Sequence, residues 1–478
     1  MTSLKQNYIA GEWVQGADVN NNINPSDISD VVGEFARGSA SDVEAAVSAA
    51  NAALSGWANA SPQVRHDVLD AAGNEILARK EEIGALLSRE EGKTLAEGIG
   101  ETTRAGQVFK FFAGEALRVT GDLIASVRPD IGVEVTREPV GVVGIITPWN
   151  FPIAIPAWKI APALAFGNTV VCKPADLTPG CAHVIAEVLA NAGCPAGVFN
   201  LVMGVGSTVG AAMLDSDGIQ AISFTGSVPT GRQIAVKCAE TMKKVQLEMG
   251  GKNPMVVLDD ADLSTAVGAC VNSAYFSTGQ RCTASSRFIV QSGIHDEFVD
   301  AVSSELAALK IGDALDPSTQ IGPVVDARQL NSNLDYVALA AEEGAEVIGG
   351  ERLNLQKEGY YQKPALFLNT KNDMRINREE IFGPCASVIK VDDFDEALSV
   401  ANDTEFGLSA GICTQSLKTA SQFKRQAEAG MVMVNLPTAG VDYHVPFGGR
   451  KGSSYGAREQ GRYAVEFYTT VKTAYVSA

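Results

Sequence analysis

The stretch Val140–Gly206 reads VGVVGIITPWNFPIAIPAWKIAPALAFGNTVVCKPADLTPGCAHVIAEVLANAGCPAGVFNLVMGVG. Short β-rich runs at Val140–Ile146, Thr169–Cys172 and Val198–Met203 are separated by helical stretches near Ala154–Phe166 and Pro179–Ala192. The alternation continues through Ala221–Phe224 and Met255–Leu258, with helical stretches at Ser207–Leu214 and Val228–Ala239. Strands and helices alternating at this spacing predict βαβ units, hence an α/β fold with a parallel sheet covered by helices on both faces. Ligands of such sheets sit at the carboxyl ends of the strands, so those ends are where function is sought.

Upstream of this stretch the first third of the chain reads as helical. Ser41-Asp-Val-Glu44 has the form of a capping box ahead of an Ala-rich run to Leu54. Ser61-Pro62 supplies an N-cap and a first-turn proline before Val64, Val68, Ala72 and Ile76, which share one helical face. Downstream, a second alternation from Ser286 to Val434 predicts another α/β domain. Val133-Glu-Val135 and Phe467–Val476 are β-prone but stand outside both alternations. Isolated strands need partners, and an oligomer-forming flap or a local hairpin would each supply them.

Composition narrows the field. The chain has 478 residues, 46% apolar and 20% charged, ordinary for a globular enzyme and long enough for about three domains. With 38 basic against 56 acidic residues, the net charge of −18 has the wrong sign for a general nucleic-acid binder. No apolar run reaches membrane-spanning length, and MTSLKQNYIAGEW has neither a basic n-region nor an apolar h-region, so a cytoplasmic location is expected. The eight cysteines contain no CxxC pair, and His66, His183, His295 and His444 form no cluster. Neither a disulfide scaffold nor a metal site is expected. No GxSxG elbow occurs.

Several strand ends carry residues suited to chemistry. Gly204-Val-Gly206-Ser-Thr-Val-Gly210 follows a strand and opens a helix, as a phosphate-binding turn or a plain tight turn would. Phe224-Thr225-Gly226-Ser227 ends the next strand, and two such junctions on one sheet favour a dinucleotide. Cys282, in Thr278-Gly-Gln-Arg281-Cys282, is either a reactive thiol whose thiolate Arg281 favours or a small buried hydrophobe. Glu248, before two glycines, suits a tuned general base or a solvated strand end. Asn150 can donate to an oxyanion or cap a helix. Lys173-Pro174 can meet a ribose or a phosphate.

Taken together, TPWNFP (147–152), Lys173-Pro174, FTGS (224–227), LEMGGK (247–252), GQRC (279–282), EEIFGP (379–384) and PFGG (446–449) resemble the aldehyde dehydrogenase superfamily in order and spacing, across essentially the whole chain. The resemblance implies a Rossmann-like dinucleotide-binding domain (1–119 and 139–250), an α/β catalytic domain (251–446) and a β oligomerisation flap (120–138 and 463–478), assembled as a homodimer or homotetramer. It assigns Cys282 as the nucleophile and Asn150 with the Cys282 backbone N–H as oxyanion donors. Glu248 becomes the base for thioester hydrolysis, with Lys173 also counted in the catalytic set. Along the dinucleotide it places Ile146, Thr147, Pro148, Trp149, Lys173, Pro174, Ala175, Asp176, Gly206, Gly210, Phe224, Thr225, Gly226, Ser227, Met249, Glu380 and Phe382. Many NAD-preferring members carry Glu where this chain has Asp176, so NAD is expected to be preferred, with NADP as the second cofactor.

For the substrate the resemblance points to Arg104, Gln107, Trp158, Arg281, Thr283 and Val441. An arginine facing the tunnel suggests a substrate carboxylate, whereas a salt bridge from Arg104 to Glu101 would leave it structural. Succinic semialdehyde dehydrogenases often have Arg in place of Trp158. WNFPIAIPAWKIAPAL and the tail from Gly448 are similar to the bacterial α-ketoglutaric semialdehyde dehydrogenases of sugar and sugar-acid catabolism. Succinic semialdehyde or an aromatic aldehyde is the alternative substrate. Release of the thioester to CoA and a non-catalytic lens-crystallin-like role are the readings of other kinds; Glu248 weighs against the first, and intact Cys282, Glu248 and Asn150 weigh against the second.

Overall fold

A computed structural model describes residues 4–477. Its largest sheet has eight strands, and five of them form a parallel core: β7 (Val142–Ile146), β8 (Thr169–Lys173), β9 (Phe199–Leu201), β10 (Ala221–Thr225) and β11 (Lys244–Glu248). Their spatial order is β9-β8-β7-β10-β11, so the chain steps outward from β7 and then returns to its other side. The reversal between β7 and β10 is the crevice where such sheets bind ligands. Every residue of β7, β8 and β10 is buried, as expected for strands covered on both faces. The period of two is visible in β7. Val143 and Ile145 join the core beneath α2 (Pro62–Ala78), α4 (Leu95–Ala116), α5 (Ala154–Ala165) and α6 (Gly180–Asn191). Val142 and Ile146 face the opposite way, toward α1 (Ala40–Ala58), α7 (Ala211–Asp215) and α8 (Val228–Glu240). The remaining long helix of the first third is α3 (Lys80–Glu91).

The helical expectation for the first third is wrong over residues 7–37. Four strands precede α1: β1 (Asn7–Ile9), β2 (Glu12–Val14), β3 (Asp18–Ile23) and β4 (Val31–Arg37). β1 adds antiparallel to β9 and carries β2 with it, while β3 and β4 form a separate hairpin. Three-residue strands and the Asn-rich run of β3 carry little strand signal. The capping box also shifts. Ser39, not Ser41, is the N-cap of α1, and it exchanges hydrogen bonds with Asp42. Ser61 and Pro62 start α2 as expected, although Val64 at its first turn is exposed.

The strand containing Met255, β12 (Asn253–Val257), belongs to a second sheet rather than continuing the first. There it lies between β13 (Ser285–Gln291) and β17 (Ser409–Cys413). The sheet continues through β16 (Cys385–Val391), β15 (Ala365–Leu368) and β14 (Glu346–Gly349) on one side and β18 (Met431–Val434) on the other. All its pairs are parallel except β14 with β15. Crossing back to the first sheet, β19 (Ser454–Tyr455) pairs antiparallel with the end of β11.

The orphan strands find each other. β20 (Thr469–Ser477) pairs antiparallel along all of β6 (Ile131–Pro139), and β5 (Asp122–Ala125) completes a third sheet. A short helical turn, Val465–Tyr468, holds Phe467 in the core, so the extended run starts two residues later than its sequence suggests. Leu123 is 85% exposed on this sheet, and Ile124, Val471, Tyr475 and Val476 are exposed as well. No helix among the described residues is long and apolar enough to cross a membrane.

Candidate active site

The segment leading to Cys282 is conformationally constrained. After α9 (Leu263–Tyr275), Ser277 and Thr278 adopt left-handed backbone angles, φ 52° and 56°. Such angles are costly for residues with a Cβ and persist only where surroundings enforce them. Glu97 on α4 supplies one restraint: its Oε1 accepts hydrogen bonds from the Ser277 backbone N–H (2.8 Å) and hydroxyl (3.0 Å). Gly279 comes so close to the Gly383 carbonyl that a Cβ would stand 2.1 Å from its oxygen. Cys282 emerges half-buried from this clamp.

Two side chains expected to share its chemistry, Asn150 and Glu248, lie near it. Asn150 lies on the loop after β7, and its amide donates to the Gln280 carbonyl at 2.9 Å, leaving a second N–H available. Its backbone oxygen accepts from Lys93 Nζ at 2.7 Å. Lys93 in turn donates to Glu101 Oε2 at 2.7 Å, and Glu101 Oε1 accepts the backbone N–H groups of Ile153 and Ala154 at the start of α5. This buried pair fixes the loop that carries Asn150. Glu248 ends β11 and is 2% exposed, with Oε2 accepting from Ser454 Oγ at 2.5 Å.

Burial dominates the proton affinities here. It holds the Cys282 thiol up to about 12, and the carboxylates of Glu248 and Glu380 add to the shift, opposed by the backbone N–H groups of Thr283 and Cys282. The Glu248 carboxyl is likewise pushed well above its ordinary value, first by burial and then by Glu459. The charge of Arg281 acts on Cys282, but it is shared with other partners. Its guanidinium donates to Glu97 at 3.1 Å and to Ser277 Oγ at 3.0 Å, so its charge is already engaged.

Cys282 lines two cavities at once. One, of about 210 Å³, is bounded by Pro148, Trp149, Asn150, Thr225, Gly226, Ser227, Met249, Glu380 and Phe382. These are the loops after β7 and β10, at the reversal of strand order, together with one loop of the second sheet. The Trp149 and Phe382 rings meet edge to face at 5.4 Å. The hydroxyls of Thr147 and Thr225 are buried without a hydrogen-bond partner among the described residues. A crevice at the switch point offering orphaned hydroxyls and aromatic walls fits a dinucleotide. Glu380 accepts from the Gly251 N–H at 2.8 Å, and burial raises its carboxyl to about 7.

The crevice continues to the end of β8. A methyl on Gly210 would stand 3.9 Å from Lys173 Cδ, while Gly206 is exposed with open space above it. Gly206–Gly210 is one wide helical turn rather than the start of a regular helix. Lys173 Nζ donates to the Pro174 carbonyl at 2.7 Å. Pro174, Ala175 and Asp176 follow it into the loop. Two expectations need correction. Ile146 and Phe224 are core residues beneath the crevice, so their side chains do not form its wall. Lys173 lines neither cavity at Cys282, and its place among the catalytic groups is withdrawn. Asp176 is engaged by Arg37, which donates to it through Nε (3.0 Å) and Nη2 (2.5 Å).

The second cavity, about 330 Å³, is bounded by Arg104, Trp158, Arg281, Thr283, Val441 and Phe447 among others. Gln107, one turn beyond Arg104, is not part of its wall. The two arginines differ. Arg281 is held by Glu97, but Arg104 donates from Nη2 to the neutral Gln460 Oε1 at 2.9 Å, and its Nε is buried without a partner among the described residues. Glu101, its nearest candidate in sequence, is occupied by Lys93. The guanidinium lies over the Trp158 ring, 5.7 Å from its centroid.

Sequence reasoning missed one pair. Glu459 receives Lys159 Nζ at one carboxylate oxygen and Trp158 Nε1 at the other, 2.6 Å away. Lys159 lies on α5, where every residue is buried, and it also donates to Ser223 Oγ at 2.9 Å. The charge of Glu459 bears directly on Glu248. A lysine inside the apolar run AIPAWKIAPALA was the available signal, since a buried charge requires a partner. Among the described residues, no three His, Cys, Asp or Glu side chains are grouped to hold a metal ion.

Comparison with known proteins adds independent information. The model of the Aldehyde dehydrogenase family matches residues 13–474. The chain is 47% identical to the Alpha-ketoglutaric semialdehyde dehydrogenase of Bacillus subtilis (strain 168) over 476 residues, 98% of this chain and 97% of that one. It is 42% identical to the Alpha-ketoglutarate semialdehyde dehydrogenase of Haloferax volcanii over 483 residues, with all of both chains covered. Among solved structures, betaine aldehyde dehydrogenase from Staphylococcus aureus in complex with NAD+ superposes with a TM-score of 0.97 at 34% identity, covering 99% of this chain and 95% of that one.

Proposed function

From the premise that this chain belongs to the aldehyde dehydrogenase family, an oxidoreductase acting on aldehydes, we propose that it oxidises α-ketoglutaric semialdehyde to 2-oxoglutarate through a thioester on Cys282. The observation that carries the reading is the position of Cys282 at the meeting of two cavities, one suited to a dinucleotide and one holding an arginine that forms no ion pair among the described residues. The names of the similar proteins from Bacillus subtilis and Haloferax volcanii support the choice of substrate.

In this reading Cys282 Sγ attacks the aldehyde carbon, and the thiol proton leaves toward a neighbouring base or water. The resulting oxyanion is held by the free Asn150 N–H and the Cys282 backbone N–H. Trp149, Ser227, Glu380 and Phe382 would hold a nicotinamide dinucleotide in the first cavity, where it would supply the hydride acceptor that collapse of the tetrahedral adduct requires. Glu248 then takes a proton from the water that attacks the thioester carbon, and Cys282 departs as the carboxylic acid forms. Glu459 and Lys159 stand behind Glu248 as positioning residues, tuning its proton affinity. Arg104 receives the substrate carboxylate, because its charge is buried and forms no ion pair among the described residues. NAD is the preferred cofactor and NADP the second; a solved relative holds NAD+.

The same reading takes residues 1–119 and 139–250 as the dinucleotide-binding domain, 251–446 as the catalytic domain, and 120–138 with 463–478 as the flap. The exposed apolar side chains of the third sheet support a homodimer or homotetramer built on that flap. A cytoplasmic place in sugar-acid catabolism follows from the substrate. The test is kcat/KM for α-ketoglutaric semialdehyde, succinic semialdehyde and benzaldehyde, because that ratio measures discrimination. The keto-acid aldehyde should lead by about tenfold, or about 1.4 kcal/mol. A lead for benzaldehyde would leave the family intact and overturn the carboxylate-binding role of Arg104.

A further inference from the structure

Arg37 comes from a part of the chain remote from every motif discussed so far. It ends β4, in the small hairpin with β3, and reaches across 139 residues of sequence to Asp176. The contact is a two-pronged one, with Nε on one carboxylate oxygen and Nη2 on the other. Such fork-to-fork pairs orient both partners as well as balancing their charge. The hairpin adds a second tie: Arg37 Nη2 donates to Asn20 Oδ1 at 3.0 Å, and Asn20 Nδ2 donates to the Asp176 carbonyl at 2.6 Å. Asp18, 72% exposed, lies 3.7 Å from Arg37 Nη1.

Position gives this cluster its meaning. Asp176 stands three residues beyond Lys173, at the carboxyl end of β8, the strand beside the switch-point strand β7. In dinucleotide-binding sheets an acidic residue near this edge bonds the ribose 2′-hydroxyl and repels a 2′-phosphate, whereas an arginine accommodates the phosphate. This chain has both, joined to each other. The carboxylate that would repel a phosphate is balanced by a guanidinium, and Lys173 contributes a second cation that offsets the more exposed Asp18. Arg37 and Asp176 both remain partly exposed, at 31% and 24% of their side chains, so an incoming ligand can reach them.

We propose that Arg37 is a specificity-determining residue: by balancing Asp176 and offering its own N–H groups, it allows the site to take a dinucleotide bearing a 2′-phosphate as well as one with a free 2′-hydroxyl. The inference rests on the cofactor reading of the crevice given above. Arg37 would give a chain with an acidic residue at position 176 a way to accept NADP.

The test is direct binding of NAD and of NADP, measured by isothermal titration calorimetry on the full-length protein without aldehyde. Wild type should bind both, with affinities within about tenfold of each other. Arg37→Gln should weaken NADP by about tenfold or more while changing NAD by less than about threefold. Arg37→Lys should fall between, because it keeps charge but loses the fork. Asp176→Asn, which leaves Arg37 in place, should tighten NADP relative to NAD, and it keeps the test open if the Arg37 variants unfold. An NADP-to-NAD affinity ratio unchanged in folded Arg37→Gln, or in Asp176→Asn where the Arg37 variants unfold, would overturn the inference. If wild type binds neither dinucleotide, the cofactor reading itself falls, which is a distinguishable result.

Discussion

The two cavities that meet at Cys282 are built differently. The dinucleotide side consists mainly of loops that follow neighbouring strands of one sheet, so most of its residues arrive in short motifs: Pro148–Asn150 after β7, Gly226–Ser227 after β10 and Met249 after β11, with Glu380 and Phe382 added from a loop of the second sheet. The other side gathers Arg104 from α4, Trp158 from α5, Arg281 and Thr283 beside the thiol, and Val441 with Phe447 from a late loop. One wall is dictated by the periodicity of the fold; the other is assembled from distant segments by packing. Parallel sheets place their carboxyl ends together whatever the ligand, whereas the second wall is free to differ with the substrate.

Perturbing the residue common to both sides should have the largest effect. Cys282→Ser is expected to lower aldehyde oxidation on the order of 10³-fold or more, with dinucleotide binding retained. Near-normal turnover would remove the thiol from the reaction. The second wall can be broken by itself. Arg104→Met should raise KM for the keto-acid aldehyde by roughly tenfold to a hundredfold, the worth of a charge-assisted hydrogen bond of about 1.5–3 kcal/mol. It should leave benzaldehyde nearly unaffected, and equal losses on both substrates would contradict the role given to its charge.

A smaller effect concerns pH. Burial raises both the Cys282 thiol, to about 12, and the Glu248 carboxyl, so each holds its proton to higher pH than it would in water. The reactive forms are the deprotonated ones. Raising a group's proton affinity moves its reactive fraction to higher pH, so kcat/KM should climb as pH rises through the alkaline range. A profile that is flat or falls there would show that the thiolate is formed by some other route.

The difference between the two walls also explains what could be read in the sequence. Strand-end motifs announced β7, β8, β10 and the residues that follow them, because a covered parallel strand is a run of apolar residues ending in a turn. Cys282, Glu248 and Asn150 were legible through the motifs around them. The tertiary engagements were not. Nothing local indicates that Glu97 rather than a substrate takes the charge of Arg281, or that Lys93 removes Glu101 from Arg104. The N-terminal strands escaped for a related reason: β1 is defined by its pairing with β9, not by a pattern of its own. Lys159 was the exception that could have been caught, since a lone cation in a wholly apolar helix predicts a buried acid somewhere in the chain.

The central claim is that oxidation proceeds through a thioester on Cys282 that Glu248 helps to hydrolyse. It is tested most directly by rapid mixing of the Glu248→Gln variant with dinucleotide and α-ketoglutaric semialdehyde, with intact-mass analysis of the quenched protein. The account predicts a burst of reduced dinucleotide of about one per active site, slow steady turnover, and an acyl mass increment that disappears when Cys282 is also replaced by Ser. Full steady turnover with no burst and no adduct would contradict it.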